Sequence, residues 1–226
     1  MSIVLPRFLP APVWSAVDKE SSLRSNRVKR VVSYVLGPSG TNIEQAAMMW
    51  HKAMGVEGKS EFVLCDLPET AVRMALALKL RGTLGVFWTC AVFAREFKMF
   101  FSNPEAFPFF FQQEMLLDEM QLAVSGRNGF SLSSNLATVK VATHISPSPL
   151  VESLRQFGVA IVDASSNAEA ARMCASGEVD ACMTTEAARR IHMLKKIHSF
   201  GSPNMIFFGG ITPHGLRVLE GARSSA

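Results

Sequence analysis

Long apolar runs are missing from this chain. The nearest approach, residues 86–101, is broken by Arg95, Glu96 and Lys98, and it is shorter than the roughly 20 residues needed to cross a bilayer. No membrane span is expected. The four cysteines, Cys65, Cys90, Cys174 and Cys182, include no CxxC pair. Neither a zinc site nor a redox dithiol is suggested, and reduced thiols buried as small apolar residues are expected. His51, His192, His198 and His214 show no HExxH-like spacing, so no metal is expected. Residues 2–14 carry Pro6, Pro10 and Pro12 and lack the compact apolar block of a secretory signal, which predicts a cytoplasmic protein. A basic stripe interleaved with aromatics is missing too. The net charge is +4, with its local excess at Arg24, Arg27, Lys29 and Arg30. That pattern argues against nucleic acid as a partner and fits equally a solvated segment before the first strand and an enzyme handling an acidic substrate.

What remains is a chain of 226 residues with 48% hydrophobic residues, enough for one large domain or two small lobes. Residues 1–29, punctuated by Pro and Ser, read as an arm. Val31 to Leu36 reads as a buried strand. Gly37 to Gly40 is a turn, and Asn42 is placed to cap a helix running to about Met54. Glu61 to Cys65 is a second strand. Asp66 and Glu69 have capping-box spacing with Pro68 in the first turn, opening a helix to about Leu80. Thr83 to Phe87 is a third strand. Strand, helix, strand, helix, strand predicts parallel pairing.

The middle is less regular. Ala91 to Phe101 reads as helix, Met115 to Val124 as strand or helix, and Gly126 to Ser134 as a polar turn. Phe100, Phe101, Phe107 and Phe109 to Phe111 form a dense aromatic group, read as core, with a lid or subunit interface as the other reading. Order returns with a strand at Thr138 to Thr143. Ser148 and Pro149 then open a helix to Phe157. Val159 to Val162 is a strand, and Ser166 with Glu169 forms a capping box for a helix to about Ala175. Val179 to Thr184 is a strand, Thr185 to Met193 a helix, and Met205 to Gly209 a last strand. Two βα blocks of this kind predict an α/β, two-lobed architecture with ligands near strand C-termini and helix N-termini.

Four stretches carry a resemblance. Gly37-Pro38-Ser39-Gly40-Thr41-Asn42, followed by Glu44 and Ala46-Ala47, resembles the GPxGTxSxxAA opening of prephenate dehydratases. Thr143-His144 with Ser146, Pro147, Ser148 and Pro149 resembles that family's SHP region. Ser166 to Arg172 matches its SNxEAAR segment, and Asp180 to Ala188 resembles its xAAIASExAA stretch. The matches fall in the family's order and span residues 31 to about 209. The resemblance implies a prephenate-dehydratase catalytic fold of the type 2 periplasmic-binding-protein kind over residues 30–212. One lobe is expected at about 30–88 plus a C-terminal return, the other in the middle segment, and a tail at 213–226. It also implies a cytoplasmic homodimer without cofactor.

The departures point to a branch. The family's PIENS-like segment corresponds to Phe87-Trp88-Thr89-Cys90-Ala91, which holds neither acid nor Asn. Its Thr-Arg-Phe motif, whose Thr protonates the leaving hydroxyl, corresponds to Ile206-Phe207-Phe208. No ACT domain follows. The non-aromatising prephenate decarboxylases of the bacilysin type share these departures, and the chain is similar to that branch. The prephenate-dehydratase-like protein of tropodithietic acid pathways is a second match.

The resemblance implies His144 and Thr41 as catalytic residues. It implies substrate contacts from Gly40, Thr41, Asn42, Thr89, Thr143, Ser146, Ser148, Thr184, Thr185 and Phe208. From the residues alone, Thr41 and Asn42 open a helix whose N–H groups suit a carboxylate, with plain capping as the other reading. Ser146 and Ser148 lie at a second such start. His144 follows a strand end and is placed to donate a hydrogen bond or a proton near neutral pH. Ser166 and Glu169 read as capping residues, Asn167 as a possible ligand contact, and Glu186 as a first-turn helix acid. Arg95, Lys98, Arg127 and Lys140 are candidates to pair with a second carboxylate. An enzyme and a binding module that holds a small acid without turnover both remain open at this stage.

Overall fold

A computed structural model describes residues 14–37, 39–91, 103, 109–126 and 137–223. In chain order its elements are α1 (Ala16–Arg24), β1 (Arg30–Leu36), α2 (Asn42–Ala53), a 3-10 turn (Glu57–Lys59), β2 (Ser60–Cys65), α3 (Pro68–Ala77), β3 (Thr83–Cys90), β4 (Phe109–Leu116) and β5 (Met120–Val124). They continue with β6 (Lys140–His144), 3-10 turns at Ser148–Leu150 and Glu152–Phe157, β7 (Ala160–Ala164), α4 (Asn167–Ser176), β8 (Ala181–Thr185), α5 (Glu186–Ile191), β9 (Lys195–Gly201), β10 (Asn204–Ile211) and α6 (Pro213–Arg223). The chain forms two compact units, Met1–Met115 with Met205–Ala226, and Leu116–Asn204.

The first unit holds a sheet of order β2-β1-β3-β10-β4. β1 runs parallel to β2 and β3, and β10 antiparallel to β3. Side chains alternate across the sheet. Val32 and Tyr34 pack with Phe87 against Ala71, Val72 and Ala75 of α3; three small or short residues on that helix let it lie close. The other face meets α2, where Ala46, Ala47, Trp50 and His51 are buried. The Trp50 ring lies 5.4 Å from Trp88 and 4.5 Å from Phe111. β10 approaches β3 through glycine. A Cβ on Gly210 would lie 1.9 Å from Phe87 Cε1, and one on Gly209 would lie 2.9 Å from Trp88.

The second unit holds a sheet of order β7-β6-β8-β5-β9. β6 is parallel to β7 and β8, while β5 is antiparallel to β8 and β9. Ala123, Ala142, Ala164 and Cys182 face Ala170, Ala171 and Cys174 of α4. The opposite face packs Leu122, Val141 and Met183 with Val151 and Val159. Ser166 Oγ accepts from Glu169 N at 3.0 Å at the start of α4, and Gly177 at φ 84° ends it. That is the left-handed cap glycine adopts without a Cβ penalty.

Several expectations are corrected. Thr41, not Asn42, caps α2. The cap of α3 is Leu67, without a side-chain bond; Pro68 fixes the first turn instead. Ser148 to Phe157 forms 3-10 turns rather than one α-helix. Ser148 Oγ donates back to Ile145 O at 2.8 Å, so it caps no helix N–H. Glu169 leaves the expected capping box and pairs with Arg172 at 2.8 Å. Met115 to Val124 divides between two strands around residues 117–119. The expected arm contains α1, capped by a Ser15–Asp18 capping box, the expected tail contains α6, and β9 was not anticipated. The expected helix at Ala91 to Phe101 and the turn at Gly126 to Ser134 fall, beyond Ala91 and Gly126, outside the described residues, as do Phe107, Arg95, Lys98 and Arg127.

A buried hydrogen-bond chain crosses the first unit. Trp88 Nε1 donates to Ser33 Oγ at 2.9 Å, and Ser33 Oγ lies 2.7 Å from His51 Nε2. His51 Nδ1 meets Ser60 Oγ, which itself donates to Val56 O at 2.8 Å. The Ser60 proton is therefore spent, so His51 must donate from Nδ1 and accept at Nε2 from the Ser33 hydroxyl. The ring is neutral, and burial pushes its pKa down to about 4. Unfolded, the ring takes a proton near pH 6.5, so between those values the unfolded chain binds more protons and stability is lost as pH falls from 6.5 towards 4. The full shift corresponds to about 3 kcal/mol. Urea unfolding of the wild type and His51→Leu at pH 7, 5.5 and 4 checks this. The variant starts about 1–3 kcal/mol less stable because Ser33 and Ser60 lose their partner, and it loses less stability than the wild type as pH falls. Parallel pH curves for the two proteins would contradict the assignment.

Candidate functional site

In the first unit, the glycine turn between β1 and α2 places Gly40, Thr41 and Asn42 together. Gly40 has φ 89°, which favours glycine. Thr41 Oγ1 donates to Leu36 O at 2.9 Å and accepts from Glu44 N at 3.3 Å. The Glu44 carboxylate folds back over the turn, accepting from Ser39 Oγ at 3.0 Å and Gly40 N at 2.5 Å. An internal carboxylate thus occupies part of the place a ligand carboxylate would take. Asn42 is the first helical residue. Thr89 and Phe208 stand opposite each other across β3 and β10, Thr89 buried and Phe208 half-buried. Tyr34 is level with Phe87. Leu36 and Thr89, each two residues further along parallel strands, therefore end at one edge of the sheet.

In the second unit, the expected residues divide between two faces. Ala142 and Cys182 belong to the layer under α4, and with period two His144 and Thr184 continue on that face. Thr143 and Thr185 point to the other. His144 stands opposite Ala164 on β7. Its Nδ1 accepts from Ser146 N at 3.3 Å, so the proton sits on Nε2, and burial lowers its pKa. His144 is therefore a neutral hydrogen-bond donor, half-buried at a strand end. The neighbouring hydroxyls are committed to the backbone: Thr143 donates to His144 O at 3.0 Å and Thr184 to Asn167 O at 2.7 Å. Thr185 caps α5 by accepting from Ala188 N at 3.3 Å. Lys140 is exposed at the far end of β6, where its N–H donates to Asp180 Oδ2 at 2.9 Å.

Sequence reading missed Gln121. On β5 it stands opposite Thr184, with Ser199 of β9 on its other side. It is fully buried. Its Nε2 donates to Glu119 Oε2 at 2.7 Å and Glu186 Oε2 at 2.5 Å. Both carboxylates are ionised. Hydrogen bonds from Arg189 and then Arg190 hold Glu186 down to about 2, and bonds from Ser199 and Gln121 lower Glu119. Gln121 Oε1 and Asn167 Oδ1 have no partner among the described residues. The signal was a single polar residue inside the apolar run Met120 to Val124, a buried amide that needs partners. Among the described residues no three His, Cys, Asp or Glu side chains gather to hold a metal ion.

No protein-family model matches the chain, and no curated protein matches it. Solved structures do. The periplasmic VFT2 domain of BvgS from Bordetella pertussis superposes with a TM-score of 0.56 at 15% identity, over 96% of this chain and 94% of that one. PhnD1 from Prochlorococcus marinus, solved with methylphosphonate, gives 0.52 at 11% identity over 87% of this chain and 81% of that one. A prephenate dehydratase from Staphylococcus aureus gives 0.47 at 11% identity over 78% of this chain and 64% of that one. At such identities the likeness speaks for the fold alone. Two mixed sheets with flanking helices, superposing on these domains, give the chain an α/β fold of the type 2 periplasmic-binding-protein kind.

Proposed function

We propose that this protein is a cofactor-independent lyase acting on prephenate, removing the ring carboxylate as CO2 while the ring hydroxyl stays. The observation that carries the reading is Ile206, an apolar residue where the dehydratase pattern places its acid, within a chain that has four stretches resembling that family's, in the same order. Breaking the carbon–carboxylate bond leaves an electron pair. The ring diene accepts it, and a proton then adds at ring carbon, so no metal or cofactor is required. A dehydratase also expels the hydroxyl, which needs a proton on that oxygen. Ile206 has none to give. In this reading His144 binds the substrate through Nε2–H, as the neutral imidazole.

A second reading, a small-acid binding module without turnover, is favoured by Thr41. Both sides of its hydroxyl are engaged within the glycine turn, so it is not free to act as an acid there. Either way the ligand is a small molecule.

Purified protein mixed with prephenate at slightly alkaline pH distinguishes these readings, with diene absorbance followed and products weighed by mass spectrometry. Loss of CO2 with the hydroxyl retained is expected. Phenylpyruvate would contradict the decarboxylase reading, and binding without conversion would leave the module. For His144, replacement by Ala lowers kcat/KM by about a hundredfold or more if the ring works on the reacting centre, and replacement by Gln, which keeps an N–H donor, recovers part of it. Because burial lowers the His144 pKa, kcat/KM corrected for the uncatalysed rate falls on acidification with its midpoint below the ordinary histidine value of about 6.5. A break at or above 6.5 would rule out the neutral ring as the working form.

A further inference from the structure

The second unit contains an acceptor that no donor among the described residues reaches. Gln121 spends both protons of its amide on Glu119 and Glu186. Turning the amide over would set its oxygen against two ionised carboxylates, so the orientation is fixed by charge. Its carbonyl oxygen is left buried and unpartnered among the described residues. An unpartnered buried polar atom costs about 1–3 kcal/mol. Asn167 Oδ1 is in the same condition. Both lie beside Thr184: Gln121 opposes it in register, and Thr184 Oγ1 is bonded to Asn167 O. His144 continues the same face two residues beyond Ala142, which pairs with Cys182. Burial deepens along this row, from half-buried His144 and Asn167 to fully buried Thr184 and Gln121. The open end of the row is therefore at His144 and Asn167.

The chemistry that fits is a neutral donor. The nearby carboxylates are already engaged by Arg189, Arg190, Ser199 and Gln121, with Lys196 3.6 Å from Glu119, so the unmet groups are amide oxygens. Prephenate at neutral pH has two carboxylates and one O–H, and only the O–H can donate. We propose that Gln121 Oε1, seconded by Asn167 Oδ1, accepts a hydrogen bond from the ring hydroxyl of the substrate and so sets the specificity of the site for a hydroxylated cyclic acid. This rests on the prephenate reading. It adds a reason for the hydroxyl to stay: an oxygen whose proton is held by an acceptor, with no acid supplied, is a poor leaving group.

The test uses two unreactive ligands, the ring-saturated counterpart of prephenate and the same acid without its ring hydroxyl, titrated calorimetrically against the full chain. Wild type is expected to bind the hydroxylated acid about tenfold more tightly. Gln121→Met brings that ratio close to one and leaves the affinity for the deoxy acid nearly unchanged. Asn167→Ala, at a half-exposed helix start, lowers the ratio in part. An unchanged ratio in folded Gln121→Met overturns the proposal; if that variant does not fold, an unchanged ratio in Asn167→Ala does so. Equal wild-type binding of both acids removes the hydroxyl subsite alone, whereas binding of neither removes the prephenate reading as well.

Discussion

Parallel pairing of β6 with β7 on one side and β8 on the other is the constraint on which the candidate site rests. Strands running in one direction end at one edge, and their connections must cross back along a face of the sheet. His144, Ala164 and Thr184 are thereby brought to the same edge. The crossover after β7 is α4, whose first residue, Asn167, is tied to β8 by the Thr184 hydroxyl. Close packing of α4 depends on Ala170, Ala171 and Cys174 against Ala123, Ala142 and Cys182. A large side chain in that layer would lift the helix and part Asn167 from Thr184. β5, entering antiparallel, then places Gln121 at the beginning of a strand beside the end of β8.

Among the described residues each unit leaves a buried polar side-chain atom unpartnered, Ser22 Oγ in the first and two amide oxygens in the second. In the first, the glycine turn supplies its own anion: Glu44 takes the Ser39 hydroxyl and the Gly40 N–H. The buried chain from Trp88 to Val56 is closed as well, each donor meeting one acceptor. In the second, the arginines, Ser199 and Gln121 satisfy Glu119 and Glu186, yet two amide oxygens remain without a partner among the described residues. Folding tolerates few such atoms. Those that persist beside a half-exposed histidine at a strand edge mark where chemistry from outside the chain is expected.

Much of the fold was legible because periodicity and caps agree. Val31 to Leu36, Pro68 in the first turn and Ser166 before α4 each carry a local physical reason for the element they begin. The failures have reasons too. The run at 148–157 has the start signal of an α-helix, but two 3-10 turns meet at Val151, whose side chain is buried in the core of the sheet. β9 is exposed over much of its length and rich in charge, so it lacks the apolar pattern of a strand and is held by pairing with β5. Of the site, His144 and the threonines could be found by their place at strand ends. The division of Thr143 and Thr185 from His144 and Thr184 follows from alternation once the pairing of β6 with β8 fixes which residues share a face. Gln121 shows in the sequence only as one polar residue in an apolar strand; that both of its donors are spent depends on Glu119 and Glu186 meeting it in the fold.

The measurement that bears most directly on this picture is a crystal structure of the protein with the ring-saturated counterpart of prephenate bound. The ring hydroxyl oxygen is expected at about 2.7 Å from Gln121 Oε1, on the face of the second sheet that carries His144 and Thr184. A ligand bound with a carboxylate against Gln121, or seated away from that face, would contradict both the hydroxyl subsite and the placement of the chemistry.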